Sequence, residues 1–199
     1  WGRYDAAARR ERAHALLLLP GSRAQAPDNF ALEVEALTHL RPAELPDLFI
    51  ALADGIDPTA LAAAAGLRYH GPMTADPGDA GTFSGTVTIH AGRGVFGNLL
   101  DTADLVLSQA GTAPIQALGS GKPVLSVRDP HLRKGRAADL AAFFGAARQV
   151  LPPDPAEIAL ALSALLSDPA ERARRGSIGR ERVGGPGAIE AIIAAIVAE

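Results

Sequence analysis

Short, uniformly apolar runs alternate along this chain with amphipathic stretches of helical period. The apolar runs lie at 15–19, 48–52, 86–90, 105–107, 124–127 and 147–151, and the amphipathic stretches at 30–40, 58–65, 95–102, 114–118, 136–144 and 156–166. Strands that are apolar on both faces are typical of a parallel sheet covered by helices on both sides. The alternation therefore predicts a doubly wound, Rossmann-like α/β domain, and the polar segment 71–85 is predicted to be a long loop.

Composition limits the classes of partner. The 199 residues, 48% of them hydrophobic, are enough for one domain with a core. The chain has 19 basic and 22 acidic side chains, and the resulting net charge of -3 gives no reason to expect nucleic acid as a partner. The chain contains no cysteine, so we expect a cytoplasmic location, with peripheral association at the inner membrane surface as the alternative. It starts at Trp1 and its single methionine is Met73, so we expect a part of a longer protein.

Ligands of open parallel sheets bind at the carboxyl ends of the strands, which directs attention to the loops 20–23, 91–94, 108–112 and 128–133. The segment 92–97 has the G-x-G-x-x-G spacing of a dinucleotide fingerprint. However, the next strand ends in Leu107, Ser108 and Gln109, without the acidic residue that binds ribose hydroxyls. We therefore interpret these glycines as a tight turn that lets the following helix pack closely.

Other familiar motifs are weak. The segment 119–123 lacks the residues of a phosphate-binding Walker loop and is interpreted as a helix stop followed by a strand. The five histidines show no metal-ligand spacing, and no serine has the flanking glycines of a hydrolase elbow, so neither site is predicted. The arginine-rich segment 172–182 is interpreted as a solvated helix face.

Two small-residue loops are better candidates for binding a phosphate. In the segment 108–112, Gly111 leaves the backbone amides accessible, and Thr112 stands at the predicted N-cap of the next helix. The segment 20–23 is a second loop of this kind, and its Arg23 can bind phosphate oxygens or pair on the surface. Both loops follow predicted strands of the same sheet.

These two segments also carry a resemblance. "LLLLPGSR" at 16–23 and "ADLVLSQAGTAPIQALGSGKPVL" at 103–125, with "GAIEAIIAAI" at 187–196, resemble the carboxy-terminal, donor-binding half of lipid-A-disaccharide synthase and its relatives, glycosyltransferases of the GT-B fold. The resemblance implies a nucleotide-sugar-binding domain over 14–199. Residues 1–13 would then be a linker or the tail of an amino-terminal acceptor domain.

The resemblance also implies a site. Gly111 and Thr112 would meet the diphosphate or donor sugar, the turn at 90–92 would lie by the base, and the first loop would line the cleft. The synthase has a glutamate where this chain has Gln116, and the loss of charge weakens the expected bond to the ribose. The full set of implied contacts is Gly21, Ser22, Arg23, His90, Ala91, Gly92, Ser108, Ala110, Gly111, Thr112 and Gln116.

The resulting hypothesis is an inverting, metal-independent glycosyltransferase that moves a hexosyl group from a UDP-sugar, its substrate, to a lipid-like acceptor. No further cofactor and no metal are expected. The catalytic base would belong to the amino-terminal half, so no catalytic residue is assigned, and this chain alone is expected to be inactive. The alternatives are a nucleotide-sugar epimerase of the same fold and a non-catalytic nucleotide-binding regulatory module. The oligomeric state is left open.

Overall fold

The predicted alternation is present in the computed structural model, which describes residues 4–129 and 134–184, together with residues 187, 193, 194 and 196. The strands are β1 (Ala15–Leu19), β2 (Asp47–Leu52), β3 (Arg68–His70), β4 (Asp79–Ser84), β5 (Ile89–Arg93), β6 (Leu105–Ser108), β7 (Val124–Val127) and β8 (Arg148–Leu151). The helices are α1 (Ala26–Thr38), α2 (Pro58–Ala64), α3 (Phe96–Thr102), α4 (Ala113–Gly119), α5 (Lys134–Phe144), α6 (Pro155–Ser167) and α7 (Pro169–Val183).

All eight strands belong to one sheet, in the order β3-β4-β5-β2-β1-β6-β7-β8. The six strands from β5 to β8 in this order pair in parallel, and they follow the strand order of a doubly wound dinucleotide-binding fold. The strand order reverses between β1 and β6, which are the two central strands of the six parallel ones. The doubly wound, Rossmann-like α/β prediction is confirmed.

Alternate side chains of the central strands enter two separate core layers. Leu16 and Leu18 of β1 belong to the layer under α1, α2 and α6. Leu17 and Leu19 belong to the opposite layer, under α3, α4 and α5, which also includes Tyr4 from the segment before β1. Because β1 is fully buried on both faces, its uniform run of leucines is explained.

The prediction of a long loop over 71–85 is wrong. This segment contains β4, which pairs antiparallel with both β3 and β5. The strand is irregular because its register shifts between Asp79 and Thr82, and Gly81 adopts φ +99°. A side chain at Gly81 would clash with the carbonyl oxygen of His70, so a glycine is required there. A strand that needs a glycine and a bulge lacks the apolar run by which strands are recognised.

The interpretation of 172–182 as a solvated helix face is wrong for part of its arginines. Arg172 donates to the carbonyl oxygens of Leu165 and Leu166 at the end of α6. Arg175 donates to the Gln149 side chain at 2.9 Å, and its own side chain is only 18% exposed. Arginines therefore fasten α7 to the neighbouring helix and to the edge strand.

Candidate functional site

The carboxyl ends of β1 and β6 lie side by side where the strand order reverses, and the loops after these strands are in contact. The backbone N–H of Gln109 donates to the carbonyl oxygen of Leu19 at 2.9 Å. Gly21 has φ +107°, and a side chain there would lie 3.9 Å from the Gln109 carbonyl oxygen. The first loop, residues 20–25, and the second loop, residues 109–112, therefore lie side by side at the place where doubly wound domains bind ligands, and we call the space between them the crevice.

The second loop presents backbone donors. Ser108 is fully buried, and its hydroxyl accepts from the N–H of Ala110 at 3.1 Å, which shapes the turn. Gly111 and Thr112 are exposed, and no hydrogen bond between described residues uses their N–H groups. Thr112 stands at the N-cap of α4, but its side chain makes no capping hydrogen bond. The loop therefore offers two amides and a hydroxyl to a ligand.

The first loop adds a positive charge. Ser22 and Arg23 are exposed, and no salt bridge between described residues involves Arg23. Gln116 is exposed on α4, one turn after Thr112. These side chains are accessible to a ligand in the crevice. Of the fourth expected loop, 128–133, residues 130–133 lie outside the described residues.

A side-chain bridge that the motifs did not indicate joins the two loops. The Asn29 side-chain amide donates to the carbonyl oxygen of Pro20 at 2.8 Å. The Gln109 side-chain amide donates to the carbonyl oxygen of Asn29 at 3.0 Å. Asn29 lies in the first turn of α1, so this helix holds both loops. We call this pair of hydrogen bonds the Asn29–Gln109 bridge.

Below the bridge, α1 buries a carboxyl group. Glu33 is completely inaccessible to solvent, and neither of its carboxylate oxygens has a hydrogen-bond partner among the described residues. Burial raises the pKa of Glu33 well above its ordinary value, and the side-chain amide of Gln109 opposes this rise. Glu33 is therefore held in its neutral, protonated form.

The prediction of a turn at 90–92 is wrong, because these residues are in the interior of β5, which ends at Arg93. A side chain at Gly92 would lie 2.8 Å from a methyl group of Val95, so this glycine allows close packing of the segment that begins α3. The turn is made by Gly94, with φ +70°. The interpretation of the fingerprint as a turn and a close helix contact is thus confirmed for Gly94 and Gly92, whereas Gly97 has no atom within 4 Å of its Cβ position.

His90 faces the segment that precedes β1. Its Nδ1 lies 3.4 Å from a guanidinium nitrogen of Arg9, and its ring centroid lies 5.8 Å from that of Phe49. Burial lowers the pKa of His90, and the Arg9 charge lowers it further, so the ring is neutral at pH 7. Ala91 is fully buried. Of the three residues that the resemblance assigned to the base, His90 is therefore partly exposed, whereas Ala91 and Gly92 are buried.

The segment 119–123 has a structural role at the opposite end of α4. Lys122 Nζ donates to the carbonyl oxygens of Asp101 at 3.1 Å and Ala103 at 2.7 Å, where α3 ends. Gly121 adopts φ +76° and packs directly under the guanidinium of Arg180. The interpretation of this segment as a helix stop before a strand is confirmed.

The described residues contain no group of histidine and acidic side chains arranged to hold a metal ion. None of their helices combines the length and the apolar character needed to cross a membrane.

No protein-family model matches this sequence, and a search of curated proteins finds no match. Solved structures do match its fold. A putative UDP-N-acetylglucosamine 2-epimerase from Listeria monocytogenes has a TM-score of 0.67 and 18% identity over 98% of this chain and 47% of its own. The spinosyn forosaminyltransferase SpnP has a TM-score of 0.61 and 17% identity over 100% of this chain and 48% of its own. WaaG, a glycosyltransferase involved in lipopolysaccharide biosynthesis, has a TM-score of 0.59 and 17% identity over 89% of this chain and 44% of its own.

The chain spans about half the length of each of these proteins. Identities this low establish the fold and not the activity. With the crevice between β1 and β6 at its centre, this chain has the Rossmann-like fold of one half of a GT-B protein.

Proposed function

We propose that this domain binds the donor of a glycosyltransferase, a UDP-sugar, in the crevice between the first and second loops. The observation that carries the proposal is the contact between two glycine-containing loops at the reversal of strand order, with N–H groups at Gly111 and Thr112 that are not used within the described structure. Two glycosyltransferases and a putative UDP-N-acetylglucosamine 2-epimerase among the structures of similar fold support a nucleotide-sugar ligand.

The chemistry of the second loop suits a diphosphate. Two adjacent N–H groups with the Thr112 hydroxyl can donate to phosphate oxygens, and the start of α4 adds a favourable dipole. Arg23 supplies a positive charge from the first loop. Fixed donors of this kind stabilise the negative charge that develops on a departing nucleoside diphosphate, and they do so without a metal ion.

The acceptor and the catalytic base would belong to the other wall of the cleft. We propose that an amino-terminal domain supplies both, because the similar structures are about twice as long as this chain. Transfer with inversion, and a lipid-like acceptor as in lipid-A-disaccharide synthase, are parts of the proposal that rest on the motifs at 16–23 and 103–125.

A nucleotide-sugar epimerase is the second candidate, because the similar structure with a TM-score of 0.67 is that of a putative UDP-N-acetylglucosamine 2-epimerase. Incubation with UDP-N-acetylglucosamine of a protein that contains this domain and the proposed amino-terminal domain distinguishes the two. Inversion at C2 of the sugar, followed by NMR, identifies an epimerase, whereas release of UDP only in the presence of an acceptor identifies a transferase. If neither occurs while UDP still binds, a regulatory module is favoured.

Binding of UDP to this chain tests the proposal directly. Titration calorimetry should detect UDP, detect UMP more weakly, and give no heat with NAD. Binding of NAD without UDP would overturn the proposal.

The site is tested by substitution of Gly111 by valine. Gly111 does not have a positive φ, and no atom lies within 4 Å of the position that a Cβ would occupy, so the Gly111→Val variant should fold normally. The branched side chain would cover the amides and lower UDP affinity by at least about tenfold. The comparison variant is Gly94→Ala, on the loop after β5. It should lose about 1–2 kcal/mol of stability, because alanine is strained at the φ of +70°, and it should retain UDP affinity. Both must melt cooperatively. Normal binding by Gly111→Val with loss in Gly94→Ala would place the phosphate site at β5.

A further inference from the structure

Glu33 lies in an unusual environment for a carboxyl group. It is one helical turn after Asn29, and residues four apart lie on the same face of a helix. Its side chain is completely buried, and both of its oxygens lack partners among the described residues. An ionised carboxylate without partners in an apolar interior is strongly disfavoured, so the group keeps its proton.

Gln109 connects Glu33 to the crevice. Its side-chain amide donates at 3.0 Å to the carbonyl oxygen of Asn29, which lies one turn of α1 before Glu33. This position is consistent with the effect of the amide on the pKa of Glu33, which it lowers. The backbone of Gln109 begins the second loop and is bonded to the end of β1. A change in the charge of Glu33 therefore acts first on Gln109, the residue that joins the two loops.

Among the described residues, no buried basic side chain compensates Glu33, and the other buried carboxylate, Asp79, is paired with Arg9. Neither β1 nor β6 has an ionisable side chain. Helix α1 is in contact with α2 and α6. Apart from Glu33, the ionisable side chains on α1 and directly after it, and those at the starts of α6 and α2, are all exposed: Asp28, Glu35 and His39 on and just after α1, Asp154 and Glu157 at the start of α6, and Asp57 at the start of α2. If Glu33 loses its proton, the amide of Gln109 is the donor at hand.

We propose that Glu33 is a positioning residue that makes UDP affinity depend on pH, because its ionised form draws the Gln109 amide out of the Asn29–Gln109 bridge and separates the two loops. The inference rests on the proposed function of the crevice. Hydrogen bonds to a carboxylate are about twice as strong as those to a neutral carbonyl, which gives the direction of the exchange. UDP affinity should therefore be highest while Glu33 is neutral and should fall as the pH rises.

The test compares UDP affinity from about pH 6 to about pH 9 in the wild type and in Glu33→Gln, whose side chain is neutral at every pH. The wild type should lose affinity about threefold to tenfold relative to Glu33→Gln across this range, the value of one hydrogen bond. The ionisation of UDP itself affects both proteins equally. The matched control is Glu35→Gln, an exposed neighbour on α1, which should follow the wild type. Identical pH courses for wild type and Glu33→Gln would overturn the proposal.

A measurement without ligand separates this proposal from the proposed function and needs no variant. The carboxyl carbon of Glu33 and the backbone amides of Ser22 and Gly111 are followed by NMR in the wild type as the pH is raised. The three signals should change with one common apparent pKa. If they do so while UDP fails to bind at every pH, the positioning role stands and the proposed ligand is wrong. If the amide signals do not follow Glu33, the positioning role is wrong, whatever the chain binds.

Discussion

Helix α7 approaches the turn after α4 so closely that alanine cannot replace Gly176 without a shift. The ideal Cβ at Gly176 would lie 3.1 Å from the carbonyl carbon of Gly121 and closer still to its oxygen, both of them backbone atoms. Ordinary carbon–oxygen contacts are about 3.3 Å or longer, so α7 and the turn must separate by about 1 Å. Gly179, one turn later, is similarly placed at 2.7 Å from the Leu118 carbonyl oxygen, so the two glycines share one interface.

The expected result of Gly176→Ala is a net loss of stability. Overpacking of this kind costs about 1–3 kcal/mol, whereas replacing a helical glycine by alanine gains about 1 kcal/mol. The free energy of unfolding should therefore fall by up to about 2 kcal/mol, measured from the urea midpoint at unchanged slope. Gly97→Ala is the matched control, since Gly97 lies in α3 with no atom within 4 Å of its Cβ position. It should keep or raise stability. A Gly176→Ala variant as stable as Gly97→Ala would refute the reasoning.

Three further outcomes are expected. Because folded Glu33 keeps its proton above the pH at which an unfolded glutamate loses it, the wild type's free energy of unfolding should fall relative to that of Glu33→Gln as pH rises from about 4.3 toward the raised pKa, by up to about 1.4 kcal/mol per pH unit. Glu33→Gln should lack this slope in urea titrations, and parallel slopes would contradict the burial. Lys122→Met should lower stability by about 1–3 kcal/mol in the same assay, since the carbonyl oxygens of Asp101 and Ala103 lose their donor; an unchanged midpoint would show that solvent satisfies them. EDTA should leave UDP affinity unchanged in calorimetry, and a large loss would indicate a metal-dependent site.

Part of the candidate site could be predicted from the sequence. Strands buried on both faces are mostly apolar, so β1, β2, β6 and β7 could be recognised from the sequence, and ligand-binding loops were expected after such strands. The pattern in α1 also indicated the buried carboxyl group, although it belongs to no known motif. Phe30, Glu33, Val34 and Leu37 recur at helical spacing, which places a charged side chain on the apolar face.

The sequence by itself determined the alternating elements, the parallel sheet and the loops at 20–23 and 108–112, because these follow from local periodicity and from small residues after apolar runs. Tertiary structure alone decided the rest. The strand β4 exists because β3 and β5 satisfy its backbone, not because its side chains favour a strand. Gln109 and Asn29 are eighty positions apart, so their hydrogen bond depends on the order of the strands. Whether Glu33 is neutral depends on complete exclusion of water, which many distant residues produce together when the helices pack on the sheet.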